Sequence, residues 1–391
     1  MKISIPFYAF LAVILSFTAC HQNESKTTAS AVDSVAVKQL DTIFSKYWDE
    51  RSKLFPLEAT ANGDNRYNDQ LPNDQTKGFR DSLKTFYQSY LDMVKAFDRE
   101  KLDESSRISY DIFIYRMGME LKELQLNEWM MPFQQFWGLP LMMGVLGSGN
   151  TVQPFKTAKD YDNWLGRMGR FSVWTDSAIA NFRQGMKAGV VLPRALVQKM
   201  IPQMQSMVVN DPVKSIFYSP LKNFPKEITD EEKKILIRGY RLVIMNDIVP
   251  SYRKLRDFLK NEYLPKARLS SGYSDLPGGK EMYDYYVQYW TTTNKTPEEI
   301  YQTGLAEVKR ISSIMDSTKN AVGFKGDMKA FFEYMKTDKK FMPFKTPEEV
   351  LNAYRSILQR IEPNIKKMYG HVPKTPFEIR QTEAFRAASA S

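Results

Sequence analysis

Two histidines and one cysteine are the whole supply of imidazole and thiol chemistry in this 391-residue chain. His21 sits in a polar stretch near the N-terminus, and His371 in a Gly370-His371-Val372-Pro373 turn. Neither has a partner four residues on, and there is no His-Glu-x-x-His pair, so the ligand count argues against a zinc site built from this chain alone. A serine triad would have only His371 to draw on, and no Gly-x-Ser-x-Gly elbow is present. The run from Gly144 to Gly149 is glycine-rich but lacks the Gly-Lys-Ser/Thr ending of a phosphate loop. Those glycines read as close-packing or tight-turn positions. The adjacent carboxylates Glu298–Glu299 and Glu348–Glu349 fall in first helical turns, where they complement the helix dipole. Asp64, Arg66 and Asp69 read as a turn network. No catalytic residue and no metal ligand follows from the residues themselves.

Cys20 is different. It follows Lys2, an apolar run from Ile3 to Phe17, and the small pair Thr18-Ala19. A short cationic region, an apolar stretch too short to span a bilayer and small residues before the cleavage point make a signal segment. A cysteine directly after it resembles a lipobox, so residues 1–19 are expected to be removed and Cys20 to carry lipid. Two or more acyl chains would hold the protein on a membrane. Residues 20–34 are polar and read as a tether. The expected address is the bacterial cell envelope, with the protein exported and anchored in the periplasm or on the outer-membrane leaflet. The formal net charge is +10. Its charges alternate in sign along the chain, as in Asp230-Glu231-Glu232-Lys233-Lys234, and export removes it from nucleic acid, so no nucleic-acid partner is expected.

What must position any site is helix. Leu40, Ile43, Phe44, Tyr47 and Trp48 follow one helical stripe. Similar patterns predict helices near 76–98, 104–127, 158–186, 194–208, 230–261, 280–292, 297–318, 327–337 and 347–369. Thr157 with Asp160, Thr229 with Glu232, Thr296 with Glu299 and Thr346 with Glu349 have capping-box spacing. Pro297 and Pro347 stand at the first helical position. Pro250 and Pro363 fall inside helical patterns and are expected to kink or split them. Strand signal is confined to Phe377–Arg380. The expected class is therefore mainly α, a large helical domain over 35–391 with long apolar Gly/Pro-rich loops at 55–72, 130–155 and 263–280. The densest local feature is Tyr283-Asp284-Tyr285-Tyr286-Val287-Gln288-Tyr289-Trp290. On a helix it presents two apolar faces, Met282–Tyr285–Tyr286–Tyr289 and Tyr283–Val287–Trp290, and reads as a doubly buried element. The alternative is that some of its hydroxyls line a cleft, with Gly278 and Gly279 letting backbone approach a ligand.

Several segments together resemble the bacterial family known as domain of unknown function 885. They are Phe55-Pro56-Leu57-Glu58-Ala59-Thr60, Gly63-Asp64-Asn65-Arg66-Tyr67-Asn68-Asp69, the stretch Gly149–Thr157, Leu192-Pro193-Arg194, Tyr218-Ser219-Pro220-Leu221, Leu276-Pro277-Gly278-Gly279, Thr291-Thr292-Thr293 and Pro373–Arg380. The resemblance implies lipoproteins with a gluzincin-like zinc metallopeptidase activity. Their zinc motif, His-Glu-Ala-x-Pro-Gly-His-His, lies downstream of the region matching Glu383-Ala384-Phe385-Arg386. No residue of this sequence matches that motif, so neither zinc nor a catalytic role is carried over. The expectation is an N-terminal helical portion, inactive alone, forming one wall of a peptide-substrate channel. By analogy, Tyr283, Tyr286, Gly278 and Gly279 are its candidate substrate-binding residues. The alternative is a non-catalytic helical lipoprotein that binds a peptide or a partner.

Overall fold

A computed structural model of the chain describes residues 32–381; Cys20, His21 and Glu383–Arg386 lie outside the described residues. These form two compact units that divide between Lys295 and Thr296. Among the described residues there are thirteen α-helices and no strand, and Phe377–Arg380 is irregular, contrary to its strand-like pattern. Backbone groups in that stretch meet no neighbouring strand to pair with, and a lone extended segment gains nothing from its propensity. No helix among them is long and apolar enough to cross a membrane.

The first unit is built on α6 (Ala158–Ala188). Thr157 and Asp160 close a reciprocal capping box at its start, and Gly189 ends it at φ 76°. Trp164, Met168, Phe171, Trp174 and Phe182 bury one side of it completely or nearly so. Each such side chain contributes roughly 1.5–3 kcal/mol by leaving water. They pack against α8 (Asp230–Val243), α9 (Val249–Phe258) and α7 (Arg194–Ser206). Helical backbone continues from α8 into α9 through a π turn at Ile244–Ile248. Pro250 follows that turn. Its missing N–H and its ring are accommodated by the wider turn, so of the expected kink or split the helix shows a local adjustment and no split. Pro363 likewise sits within an unbroken helix.

The long loops hold more helix than their composition suggests. Pro56 starts a short helix, α2 (Pro56–Ala61), and Leu139–Gly147 forms α5. α5 needs its glycines, because a Cβ at Gly147 would press on the Phe217 ring (2.6 Å) and one at Gly144 on Met207 (2.8 Å). α1 (Ser34–Leu54), α3 (Lys77–Lys95) and α4 (Glu104–Glu123) form a separate layer around Leu83, Tyr87, Leu91 and Met117.

Arg167 joins these pieces. Its guanidinium is fully buried and donates to the Pro56, Tyr67 and Gln70 carbonyls, to Thr60 Oγ1 and to Gln153 Oε1. No carboxylate lies within ion-pair distance of it among the described residues, and burial lowers its pKa to about 10. A buried cation of this kind is tolerated because its donors are matched.

The second unit contains α11 (Pro297–Ala321), α12 (Met328–Thr337) and α13 (Pro347–Met368). The Thr296–Glu299 capping box forms as expected. Thr346 caps Glu349 N, but Glu349 reaches past it to Lys345 N at 2.6 Å. Phe324, Phe331, Tyr334 and Phe341 form a small aromatic cluster. No residue of α11 or α13 is buried, and Tyr301, Leu305 and Val308 on one helix and Tyr354, Ile357 and Ile361 on the other are exposed.

Candidate functional site

Charged groups of the first unit converge where α3 and α4 meet the turn Asn127–Met130. Arg116, Glu120 and Glu123 stand at i, i+4 and i+7 on α4 and so share one face. With Arg51 from α1, Arg80 from α3 and Glu128 and Trp129 from the turn, they line a cavity of about 370 Å³. That volume suits a small ligand.

Two of the three arginines are paired. Arg116 meets Glu120 at 2.6 Å and donates to the Tyr289 hydroxyl at 3.0 Å, and Arg51 meets Glu58 at 2.5 Å. Arg80 is not. It donates to the Gln75 carbonyl at 3.0 Å and lies 4.3 Å over the Trp129 ring, with no carboxylate in ion-pair range among the described residues. Burial lowers its pKa.

The carboxyls show the complementary imbalance. Burial, helped by the charges of Glu120 and Glu128, pushes Glu123 up to about 7. Its one direct partner is the Tyr285 hydroxyl, which donates to Oε2 at 3.2 Å. Burial also raises Glu128, against the opposing effect of the Tyr286 hydroxyl, and Glu128 Oε2 is buried with no hydrogen-bond partner. Burial and these same carboxylates hold Tyr285 and Tyr286 far above the ordinary phenol range, so both are hydroxyl donors at neutral pH.

α10 (Gly279–Thr291) supplies those tyrosines. Met282 and Tyr285 are buried and Tyr286 and Tyr289 are half-buried, while Tyr283 is 48% and Trp290 72% exposed. The helix thus buries one face, where two were expected. Tyr286 lies beside Glu128, and Tyr283 points away from the buried face. Gly278 starts the helix at φ 71°, and a Cβ on Gly279 would overlap the Tyr273 carbonyl. Both glycines serve chain geometry. Asp64 and Arg66 form an exposed network, with Arg66 Nη2 at 2.7 Å from Asp64 and 2.8 Å from Asp49.

An apolar cavity of about 440 Å³ adjoins the charged one, and Phe55 and Asp74 line both. Leu71, Leu139, Met142, Leu146 and Val152 supply its other apolar walls. The carboxyl–arginine face had a sequence signal in the spacing of Arg116, Glu120 and Glu123. The apolar cavity's walls come from positions 54–74 and 138–152, mostly within two of the long apolar loops that the sequence singles out, but nothing in the sequence pairs those two loops.

Among the described residues no three His, Cys, Asp or Glu side chains gather to hold a metal ion. The sequence profile described as "Bacterial protein of unknown function (DUF885)" matches residues 56–391. This chain belongs to the DUF885 family. Two solved structures share the fold of this DUF885 chain. One is a candidate lipoprotein from Colwellia psychrerythraea, with TM-score 0.76 and 18% identity over 91% of this chain and 64% of its own. The other is a candidate lipoprotein of unknown function from Shewanella oneidensis, with TM-score 0.56 and 16% identity over 88% and 60%. The DUF885 chain therefore spans less than two thirds of the length of each. No curated protein shows a match.

Proposed function

We propose that this chain is the N-terminal, peptide-binding helical portion of a membrane-anchored, zinc-dependent peptidase, with Cys20 as the lipid-bearing anchor. The observation that carries this reading is the pair of adjoining cavities, one charged and one apolar, with Phe55 and Asp74 in the shared wall. A peptide alternates polar backbone and termini with apolar side chains, and adjoining polar and apolar walls suit it. The lipoprotein designation of both structural relatives supports the anchor. In this reading Tyr286 borders the bound peptide through Glu128, Gly278 and Gly279 fix the approach of α10, and Tyr283, which lines neither cavity, has no part in binding. The exposed apolar faces of α11 and α13 are the surface that further sequence of a longer family member would cover.

Incubation of this chain with zinc and a mixed peptide library tests the reading. The expected result is saturable peptide binding without chelator-sensitive turnover. Chelator-sensitive cleavage would show a metal site on this chain and overturn the division of labour. Absence of any peptide binding would overturn the binding role.

The same pair of cavities also serves a second reading, a non-catalytic lipoprotein that binds a peptide or a partner. The reading frame decides between them. A His-Glu zinc motif encoded downstream supports the peptidase, and a genuine stop with a stable, monodisperse product supports the binding protein.

A further inference from the structure

The charged cavity is unbalanced in both directions at once. Arg80 presents a guanidinium with one carbonyl partner and no carboxylate. Glu123 and Glu128 present carboxyls with tyrosine neighbours and, among the described residues, no cation in ion-pair range, and Glu128 Oε2 has no hydrogen-bond partner among them. A ligand with only a positive end would leave Arg80 unmatched, and one with only a negative end would leave the carboxyls unmatched. Polar groups left unmatched when a ligand excludes water from them cost binding energy, so a ligand that satisfies both sets gains most. Trp129 ties the two sets together. It is adjacent in sequence to Glu128, and its ring carries the Arg80 guanidinium.

We infer that the site takes short peptides with free termini. The ligand's ammonium sits against Glu123 and Glu128, its carboxylate against Arg80, and an apolar side chain in the cavity lined by Phe55, Leu139, Met142 and Leu146. The inference rests on the peptide-binding reading above and narrows it to small zwitterions. Length follows from volume: about 370 Å³ of charged cavity and about 440 Å³ of apolar cavity match two or three residues.

The test is calorimetric titration of the full chain with leucyl-leucine, its N-acetyl derivative, its C-terminal amide, and an end-blocked apolar decapeptide. The expected result is binding of leucyl-leucine, weakened at least tenfold by either block. Arg80→Ala is expected to abolish discrimination against the amide alone. Glu123→Gln with Glu128→Gln is expected to abolish discrimination against the acetyl form alone. Because both blocks are read on the unaltered protein, a variant that fails to fold leaves the test standing. Equal binding of all three dipeptides, or binding of the decapeptide alone, overturns this inference and leaves the peptide-binding reading intact. No binding by any of the four overturns both.

Discussion

Arg167 Nη1 stands 2.6 Å from Gln153 Oε1, and the same guanidinium donates to Thr60 Oγ1 at 2.9 Å. Thr60 and Gln153 come from separate segments that recur in the family resemblance, so one buried cation ties both to α6. Those segments are therefore read first as structure: they hold the wall shared by the two cavities.

Replacing Arg167 with Leu should cost about 3–5 kcal/mol, since it removes five hydrogen bonds of a buried cation and leaves the Gln70 carbonyl and Gln153 Oε1 without their donor, while Thr60 keeps Asn68 and Pro56. Arg167→Lys should recover part of this, because one ammonium cannot reach all five acceptors. Urea unfolding of the three proteins measures it. A loss below about 1 kcal/mol for Arg167→Leu would mean that water replaces the guanidinium at little cost.

Gly278 and Gly279 are adjacent but constrained for different reasons. Gly278 has φ 71°, and an added Cβ would meet only Asn127 Nδ2 at 3.6 Å, an ordinary contact, so Gly278→Ala should cost only the left-handed penalty of about 1–2 kcal/mol. At Gly279 an added Cβ collides with backbone, the Tyr273 carbonyl, which cannot rotate away. Gly279→Ala should therefore destabilise by roughly 3 kcal/mol or more and release α10 from its seat. Thermal unfolding ranks the two variants, and equal shifts would refute the distinction.

Much of this was legible in the residues. Thr157–Asp160, Thr229–Glu232 and Thr296–Glu299 all close the capping boxes that their spacing predicts, because caps are local. Thr346–Glu349 departs because Lys345 N competes for the same carboxylate. Helices inside the loops were hidden. α2 and α5 are short, and α5 is apolar all round with two glycines, so its period carries no stripe. The burial of only one face of α10 was also hidden, because aromatic residues occupy both faces and only packing against α4 selects one. That packing, Tyr115 Oη to the Gln288 carbonyl at 2.9 Å, spans 173 positions. The cavities share this non-local origin.

Cys20 lies outside the described residues, and its chemistry rests on the sequence around it. Cys20→Ser should move the protein from the membrane fraction to the soluble fraction, since the remaining chain offers no spanning helix among its described residues. Intact-mass measurement of the mature N-terminus should find acyl chains on the parent and none on the variant. An unmodified Cys20 in the parent would remove the anchor.

Glu123 makes the stability of the first unit pH-dependent in a defined direction. Its folded pKa, about 7, lies above the unfolded 4.5, so the native state binds the proton more tightly. Stability from this group is complete below pH 4.5, falls as pH rises from 4.5 to 7, and is lost above 7. The full separation would correspond to about 3 kcal/mol at roughly 1.4 kcal/mol per pH unit. Partial exposure and nearby Arg116 reduce that to about 1–2 kcal/mol. Glu123→Gln keeps an amide that can accept from Tyr285 but cannot titrate, so it should flatten the slope between pH 5 and 7.5 and leave the pH 5 stability nearly unchanged. Urea midpoints of parent and variant at both pH values decide it. Parallel slopes would place the titration on another group and show that burial does not hold the Glu123 proton in this range.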